Sequence, residues 1–107
     1  MRIELLIFGT AVGGLIAVVA HAATIEVGQK DKTFAPETIV AAVGTTIRIN
    51  NDDGVVHNVL VTTPDSTTNN TGIQKPGESI DVVVDKSGEY RVKCGIHPKM
   101  KLTIQSR

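Results

Sequence analysis

The sequence predicts an all-β protein, an antiparallel Greek-key β-sandwich that follows an N-terminal signal peptide. Polar and apolar residues alternate with a period of two in several short stretches that are rich in β-branched side chains. Clusters of Gly, Pro, Asn and Asp separate these stretches at regular intervals. No helical periodicity of useful length follows the N-terminal apolar segment. We therefore expect about seven short strands packed as two sheets.

Residues 1–22 have the layout of a secretory signal peptide. Arg2 is positively charged, residues 5–20 form an uncharged apolar run, and Ala20-His21-Ala22 is a small-x-small cleavage site. The run is shorter than the roughly 20 residues of a membrane-spanning helix, and an uncleaved membrane anchor is the alternative. We expect cleavage after this site, a single domain over residues 23–107, and a periplasmic or otherwise exported protein.

Four strands are predicted in the first half of the domain, over residues 23–28, 38–43, 45–50 and 55–62. Gly28 and Gly44 end the first two strands. Pro36 cannot donate a hydrogen bond to a ladder, so its segment is excluded from a central strand position. The turn formers of Asn50–Gly54 separate the third strand from the fourth, and His57 lies near the start of the fourth.

The second half of the domain contains one long polar segment and three predicted strands. Residues 63–76 are rich in Thr, Asn, Ser and Asp and are predicted to form a surface loop. The strands follow over residues 78–85, 90–94 and 99–105. Cys94 ends the second of these strands, so the residues after it form a loop before the last strand.

That loop carries the chemistry of the chain. Cys94, His97 and Met100 follow one another at intervals of three residues, and His57 lies far upstream. Residues 23–107 contain no other Cys, His or Met. A lone cysteine in an exported protein cannot form an internal disulfide, whereas a metal thiolate accounts for it. Two His, one Cys and one Met are the ligand set of a trigonal copper site with a long axial Met.

The expected site binds one copper ion and transfers electrons. Loops from distant strands converge at one end of a sandwich, so His57 can meet the C-terminal loop. Thiolate and imidazole ligands suit both oxidation states of copper, and a small rearrangement between these states suits electron transfer. No coordination position is left for a substrate. The sequence therefore predicts a carrier that cycles between Cu(I) and Cu(II), and not an enzyme.

Each residue of the set also has a plainer interpretation when taken alone. A single His at a strand start is usually a polar surface residue, and a single Cys or Met usually fills the core. The shared spacing and the absence of further His, Cys or Met favour a metal site over these interpretations. Two other functions stay open: a copper carrier or storage protein that transfers metal, and a metal-free interaction domain. Asp52 and Asp53 are interpreted as turn formers and not as ligands.

The composition excludes several classes of partner. Acidic and basic residues are balanced at 11 each, so no strong field that would steer nucleic acid or lipid towards the protein is implied. Phe34 and Tyr90 are the only aromatic residues in residues 23–107, which is too few for a base-stacking or sugar-binding platform. We expect a monomer with protein redox partners, and neither a nucleic acid nor a small-molecule substrate.

Several motifs of the chain together carry a family resemblance. They are Phe34-Ala35-Pro36 with Gly44, Asn50-Asn51-Asp52 before His57-Asn58-Val59, and Gly88-Glu89-Tyr90 before Cys94, His97-Pro98 and Met100. The chain resembles the cupredoxins, the small blue copper proteins, and within them the plastocyanin, amicyanin and pseudoazurin group. The resemblance extends over nearly all of residues 23–104. The two-residue gaps on either side of His97 are its most specific part.

The resemblance implies a role for each residue of the set. His57 binds copper through Nδ1 from the buried side, Cys94 supplies the thiolate, and Met100 is the axial ligand of a type 1 copper ion. His97 binds copper and exposes its ring edge as the port for electrons, so redox partner proteins are expected to dock near it. Asn58 is expected to hold the ligand loops together by hydrogen bonds near Cys94.

Two positions depart from the pattern of the family. Ile49 stands where the family often has an aromatic residue, and Lys99 stands where related proteins often have Phe. Lys101 follows shortly after Lys99. The surface around His97 is therefore expected to be less apolar than is usual in the family, and locally basic.

Overall fold

The computed structural model describes residues 23–107, and the predicted signal peptide, residues 1–22, lies outside the described residues. The described part contains nine β-strands: β1 (Thr24–Lys30), β2 (Thr33–Ala35), β3 (Thr38–Ala41), β4 (Thr46–Asn51), β5 (His57–Thr62), β6 (Thr68–Gln74), β7 (Ser79–Val83), β8 (Gly88–Cys94) and β9 (Lys101–Ser106). Within this part of the chain, no helix is long and apolar enough to cross a membrane.

The strands form two sheets, which confirms the predicted β-sandwich. One sheet has the order β2-β1-β4-β7, and the other has the order β3-β9-β8-β5-β6. Most neighbouring strands are antiparallel, while β1 with β4 and β3 with β9 are parallel pairs. Parallel neighbours require a crossover, and here the chain changes sheet between β2 and β3 and again between β3 and β4.

The core lies between the two sheets and follows from the alternation in the sequence. Every second residue of β4, β5 and β9 is buried, because successive side chains of a strand point to opposite faces. Each large aliphatic side chain contributes roughly 1.5–3 kcal/mol when it is fully buried. The buried apolar residues are Val27, Phe34, Ile39, Ala41, Ile47, Ile49, Val59, Val61, Val84, Tyr90, Val92, Cys94, Met100, Leu102 and Ile104.

The segment predicted as a surface loop contains a strand, and this part of the prediction was wrong. Residues 68–74 form β6, which pairs with β5 at the edge of the larger sheet. All residues of β6 except Gln74 are exposed. An edge strand with solvent on both faces has no alternation of polar and apolar residues, so its sequence resembles that of a loop. The short strand β2 also lies at an edge, in agreement with the exclusion based on Pro36.

The topology brings the ends of three strands together. β5 and β8 are antiparallel, with Val59 opposite Cys94, so His57 at the start of β5 lies close to Cys94 at the end of β8. β9 is antiparallel to β8, so the loop of residues 95–100 turns back at the same end. We call this end of the sandwich the site end.

Candidate metal centre

Three potential ligand atoms converge at the site end. The Nδ1 atoms of His57 and His97 are 3.1 Å apart. The Sγ atom of Cys94 lies 3.7 Å from Nδ1 of His57 and 3.5 Å from Nδ1 of His97. In the described part of the chain, His57, Cys94 and His97 form a group whose ligand atoms lie close enough together to hold a metal ion. Both imidazoles therefore present the same nitrogen to a single point beside the sulfur.

The size of this triangle fits a metal ion. The point equidistant from its three corners lies about 2 Å from each, while zinc ions in proteins, for example, have bonds of roughly 2.0–2.1 Å to imidazole nitrogen and about 2.3 Å to thiolate. Two imidazoles and one thiolate are also a soft donor set that suits copper. The residues present therefore fit a copper ion without a large rearrangement.

Three residues of the predicted set are buried in the core, and the fourth is partly exposed to solvent. His57 is 0% exposed, and Cys94 and Met100 are each 2% exposed. Cys94 and Met100 belong to the main hydrophobic cluster of the sandwich. His97 is half-buried. The core therefore holds three residues of the predicted set, and His97 is the one that reaches the surface.

The environment of His97 favours its neutral form. Partial burial lowers the pKa of His97 below its usual value, because a charged imidazole loses hydration there. Coulombic interactions with His57 and Lys32 lower it further, while Asp53 acts in the opposite direction. A metal ligand must be neutral imidazole, so this environment prepares His97 for ligation.

Backbone hydrogen bonds shape the ligand loop. The Met100 amide donates to the His97 carbonyl at 3.0 Å, which closes a tight turn between two residues of the set. The Gly95 amide donates to the Asn58 carbonyl at 2.8 Å. The Asn58 amide donates to Cys94 Sγ at 3.4 Å. Hydrogen bonds to the cysteine sulfur are one of the features that tune the potential of such copper sites.

Asn58 connects the two ligand segments through its backbone and not through its side chain. Its Nδ2 atom donates to Oδ1 of Asn70 at 2.8 Å and to the carbonyl of Gly72 at 2.9 Å. Both acceptors lie in β6. The side chain therefore fastens the edge strand to β5, and the link to Cys94 is made by main-chain atoms.

Asp53 contacts one of the proposed ligands, and the sequence interpretation did not predict this contact. Its Oδ2 atom lies 2.9 Å from Nε2 of His57. Backbone hydrogen bonds, first that from Lys32, hold the pKa of Asp53 below its usual value, and His57 adds to this effect. Asp53 is also the expected turn former, since its amide donates to Oδ1 of Asn51 at 2.9 Å. The sequence did contain a signal for this contact. Histidine ligands usually donate their other N–H to a carboxylate or carbonyl, and Asp53 is an acidic residue four positions before the predicted ligand His57.

The comparisons with known proteins agree with this fold and site. A family model for the cupredoxin-like domain matches residues 5–104. The chain is 37% identical over 76 residues to the methylamine utilization protein MauL of Methylophilus methylotrophus. That match covers 69% of this chain and 44% of MauL, so the chain spans less than half the length of this relative.

Solved structures share the fold. A Cu(I) form of an amicyanin variant superposes with a TM-score of 0.72 at 21% sequence identity, covering 84% of this chain and 87% of that chain. A purple cupredoxin from Nitrosopumilus maritimus superposes with a TM-score of 0.68 at 20% identity, covering 78% of this chain and 99% of that chain.

The two-sheet sandwich and the His-Cys-His triangle define a blue copper type of protein. The chain belongs to the cupredoxin-like domain family, as the motifs of its sequence predicted. The set His57, Cys94, His97 and Met100 is typical of a type 1 copper site, and copper is the cofactor that this centre takes.

Proposed function

We propose that this protein is an exported carrier of single electrons that exchanges them with redox partner proteins. Its copper ion is held by His57, Cys94, His97 and Met100 and cycles between Cu(I) and Cu(II). The observation that supports this function most directly is the convergence of both Nδ1 atoms and the sulfur of Cys94 within 3.7 Å of one another. The relatedness to MauL and the cupredoxin-like family model support it as well.

The rigidity of the ligand residues supports electron transfer. Copper, when bound, supplies a one-electron redox couple. Cys94 and Met100 pack in the hydrophobic cluster, and His57 is fully buried, so these side chains have little room to move between the two oxidation states. A small reorganisation on oxidation and reduction is what a fast electron carrier needs. The half-buried ring of His97 provides the contact through which electrons enter and leave.

The surface around His97 suits a partner with an acidic face. Lys93 and Lys101 lie directly opposite each other on β8 and β9, both are exposed, and like charges in this arrangement repel. Lys99 is exposed in the ligand loop, and the same loop contains the apolar side chain of Ile96, which is 45% exposed. We infer that redox partners dock at this surface and that their negative charges relieve the repulsion.

The burial of the site supports electron transfer over metal transfer. A copper carrier or storage protein must open its site to release the ion. Three of the four proposed ligand residues are at most 2% exposed, so the site would have to come apart at the core. An enzyme would need an open coordination position, and the four proposed ligands fill the site, so we propose a carrier and not a catalyst.

The test is the addition of Cu(II) to the purified protein, followed by visible absorption and electron spin resonance. We expect an intense thiolate-to-copper band and narrow copper hyperfine splitting. The Cys94→Ala variant should lose the band, because the charge transfer begins on its sulfur, and should keep its β-sheet signal in circular dichroism. Met100→Gln should keep the band and lower the reduction potential, because Met100 would supply the weak thioether ligand that tunes the potential of such a copper ion.

Two outcomes would contradict the proposed function. A folded wild-type protein that stays colourless would show that the ligands do not form the site and would favour a metal-free interaction domain. A weakly coloured complex that gives its copper up quickly to a competing chelator would favour metal transfer.

A further inference from the structure

Asp53 lies between a hairpin turn and the most buried histidine of the site. Its Oδ2 atom lies 2.9 Å from Nε2 of His57 and accepts a hydrogen bond from the Lys32 amide at 3.0 Å. Its Oδ1 atom accepts a hydrogen bond from the Asp31 amide at 2.9 Å. The side chain of His57 is 0% exposed and that of Asp53 is 12% exposed. One shielded carboxylate therefore contacts three N–H groups, two from a turn and one from a proposed copper ligand.

The turn between β1 and β2 depends on this carboxylate. Lys30 pairs with Thr33, so Asp31 and Lys32 form a two-residue turn, with φ values of 52° and 56°. Turns of this kind favour Asn, Asp and Gly, because both central residues need positive φ. Asp31 meets this preference and Lys32 does not, and both backbone amides of the turn donate to Asp53. The carboxylate offsets the strain of the turn, and the turn in return fixes the carboxylate.

The same carboxylate determines which nitrogen of His57 carries the proton. A carboxylate only accepts hydrogen bonds, so the contact with Asp53 places a proton on Nε2. In a neutral imidazole the other nitrogen then has a free lone pair. That nitrogen, Nδ1, lies 3.7 Å from Sγ of Cys94 and faces the other ligand atoms. The ring therefore has the tautomer that metal binding through Nδ1 requires.

We propose that Asp53, held by the amides of the β1–β2 turn, is a positioning residue of the copper site. It fixes the ring orientation and the tautomer of His57, and its negative charge makes the imidazole a stronger donor. This inference rests on the proposed function, because His57 must bind the copper. A stronger donor favours Cu(II), which has the higher charge. Removal of the carboxylate should therefore raise the reduction potential.

The tautomer can be measured on the wild-type protein without any substitution. Two-dimensional nuclear magnetic resonance of the full chain with ¹⁵N-labelled histidine, in the metal-free form, distinguishes protonation at Nε2 from protonation at Nδ1. We expect His57 to carry its proton on Nε2. A proton on Nδ1 of His57 would overturn the positioning role, whatever the behaviour of the variants.

The potential is tested with a matched pair of variants of the copper-loaded full chain. Asp53→Asn and Asp52→Asn each remove one negative charge at adjacent positions, and of these two side chains only that of Asp53 contacts His57. We expect Asp53→Asn to raise the reduction potential by clearly more than Asp52→Asn, and to change the copper hyperfine splitting. Equal shifts in the two variants would mean that Asp53 acts only as a distant charge or as a turn former, and would overturn the inference.

Different experimental results would contradict this inference and the proposed function. A wild-type protein without the blue band would reject the copper carrier itself. A blue wild-type protein whose Asp53→Asn and Asp52→Asn variants have equal potentials would keep the carrier and reject the positioning role.

Discussion

Gly95 follows Cys94 directly and lies where a side chain does not fit. A Cβ atom at this position would lie 2.5 Å from Oδ1 of Asn58 and 3.5 Å from a methyl group of Leu60. The Asn58 side chain cannot swing away freely, because its Nδ2 atom is held by two acceptors in β6. The close approach of the two ligand segments therefore depends on a glycine.

We expect Gly95→Ala to lower the free energy of unfolding by roughly 1–3 kcal/mol, as overpacking usually does. Gly54→Ala is the control, since nothing lies within 4 Å of a Cβ atom at Gly54. Chemical denaturation of both variants gives the comparison. In a protein that also carries Asn58→Ala, Gly95→Ala should lower the free energy of unfolding by less. An unchanged loss would show that the contact with Asn58 does not cause the destabilisation.

The strands β4 and β7 are joined on their outer face by an ion pair. Arg48 lies directly opposite Asp81 in the ladder, and its Nε atom donates to Oδ1 of Asp81 at 2.9 Å. This hydrogen bond lowers the pKa of Asp81 below its usual value. Both side chains are close to half exposed, so solvent screens the pair and its contribution to stability is modest.

The sign of the pKa shift predicts how this contribution depends on pH. A carboxyl group with a lowered pKa in the folded state stabilises the fold above its unfolded pKa, and this stabilisation is lost as the pH falls through the folded pKa. Asp81→Asn should therefore lower the melting temperature at neutral pH and have little effect in strong acid. When Arg48 is also replaced by Gln, Asp81→Asn should cause little further decrease of the melting temperature at neutral pH. A loss of equal size at both pH values would contradict the role of the ion pair.

The positive and negative charges of the whole molecule are equal in number. Any electrostatic attraction to a partner must therefore come from the uneven distribution of these charges over the surface. The chain carries 11 basic and 11 acidic residues. Lys93, Lys99 and Lys101 are exposed at or next to the site end, whereas Lys86 precedes β8 at the opposite end of the sandwich. A local concentration of one charge accelerates the encounter with an opposite charge and is weakened by salt.

We expect the reduced copper protein to be oxidised by the anion hexacyanoferrate(III) at a rate that falls as ionic strength rises. With a cationic cobalt–phenanthroline oxidant the rate should rise instead. Replacing Lys93 and Lys101 by Gln should slow the reaction with the anion at low salt by roughly two- to tenfold, whereas Lys86→Gln should not. Stopped-flow measurements give these rates, and equal effects of the near and far lysines would contradict docking at the site end.

The sequence by itself determined the fold class and the candidate ligand set. The strands β4, β5, β8 and β9 were predictable because each has one face on the core and one towards solvent, and this alternation is local. The spacing of Cys94, His97 and Met100 was predictable as a metal loop because their chemistry and separation lie within one segment. The role of these residues as copper ligands is the proposal that the experiments above address.

The tertiary structure decided what depends on contacts between distant segments. The residues of β6 have no alternating strand pattern of their own. They form a strand because the backbone of β5 has hydrogen-bonding groups on the side away from β8, and β6 pairs with them. Asp53 became a partner of His57 because the β1–β2 turn, more than 20 residues earlier, directs its amides at the same carboxylate. A local pattern reveals which face of a strand is buried, whereas the partners of a polar side chain are decided only when separate strands are brought together.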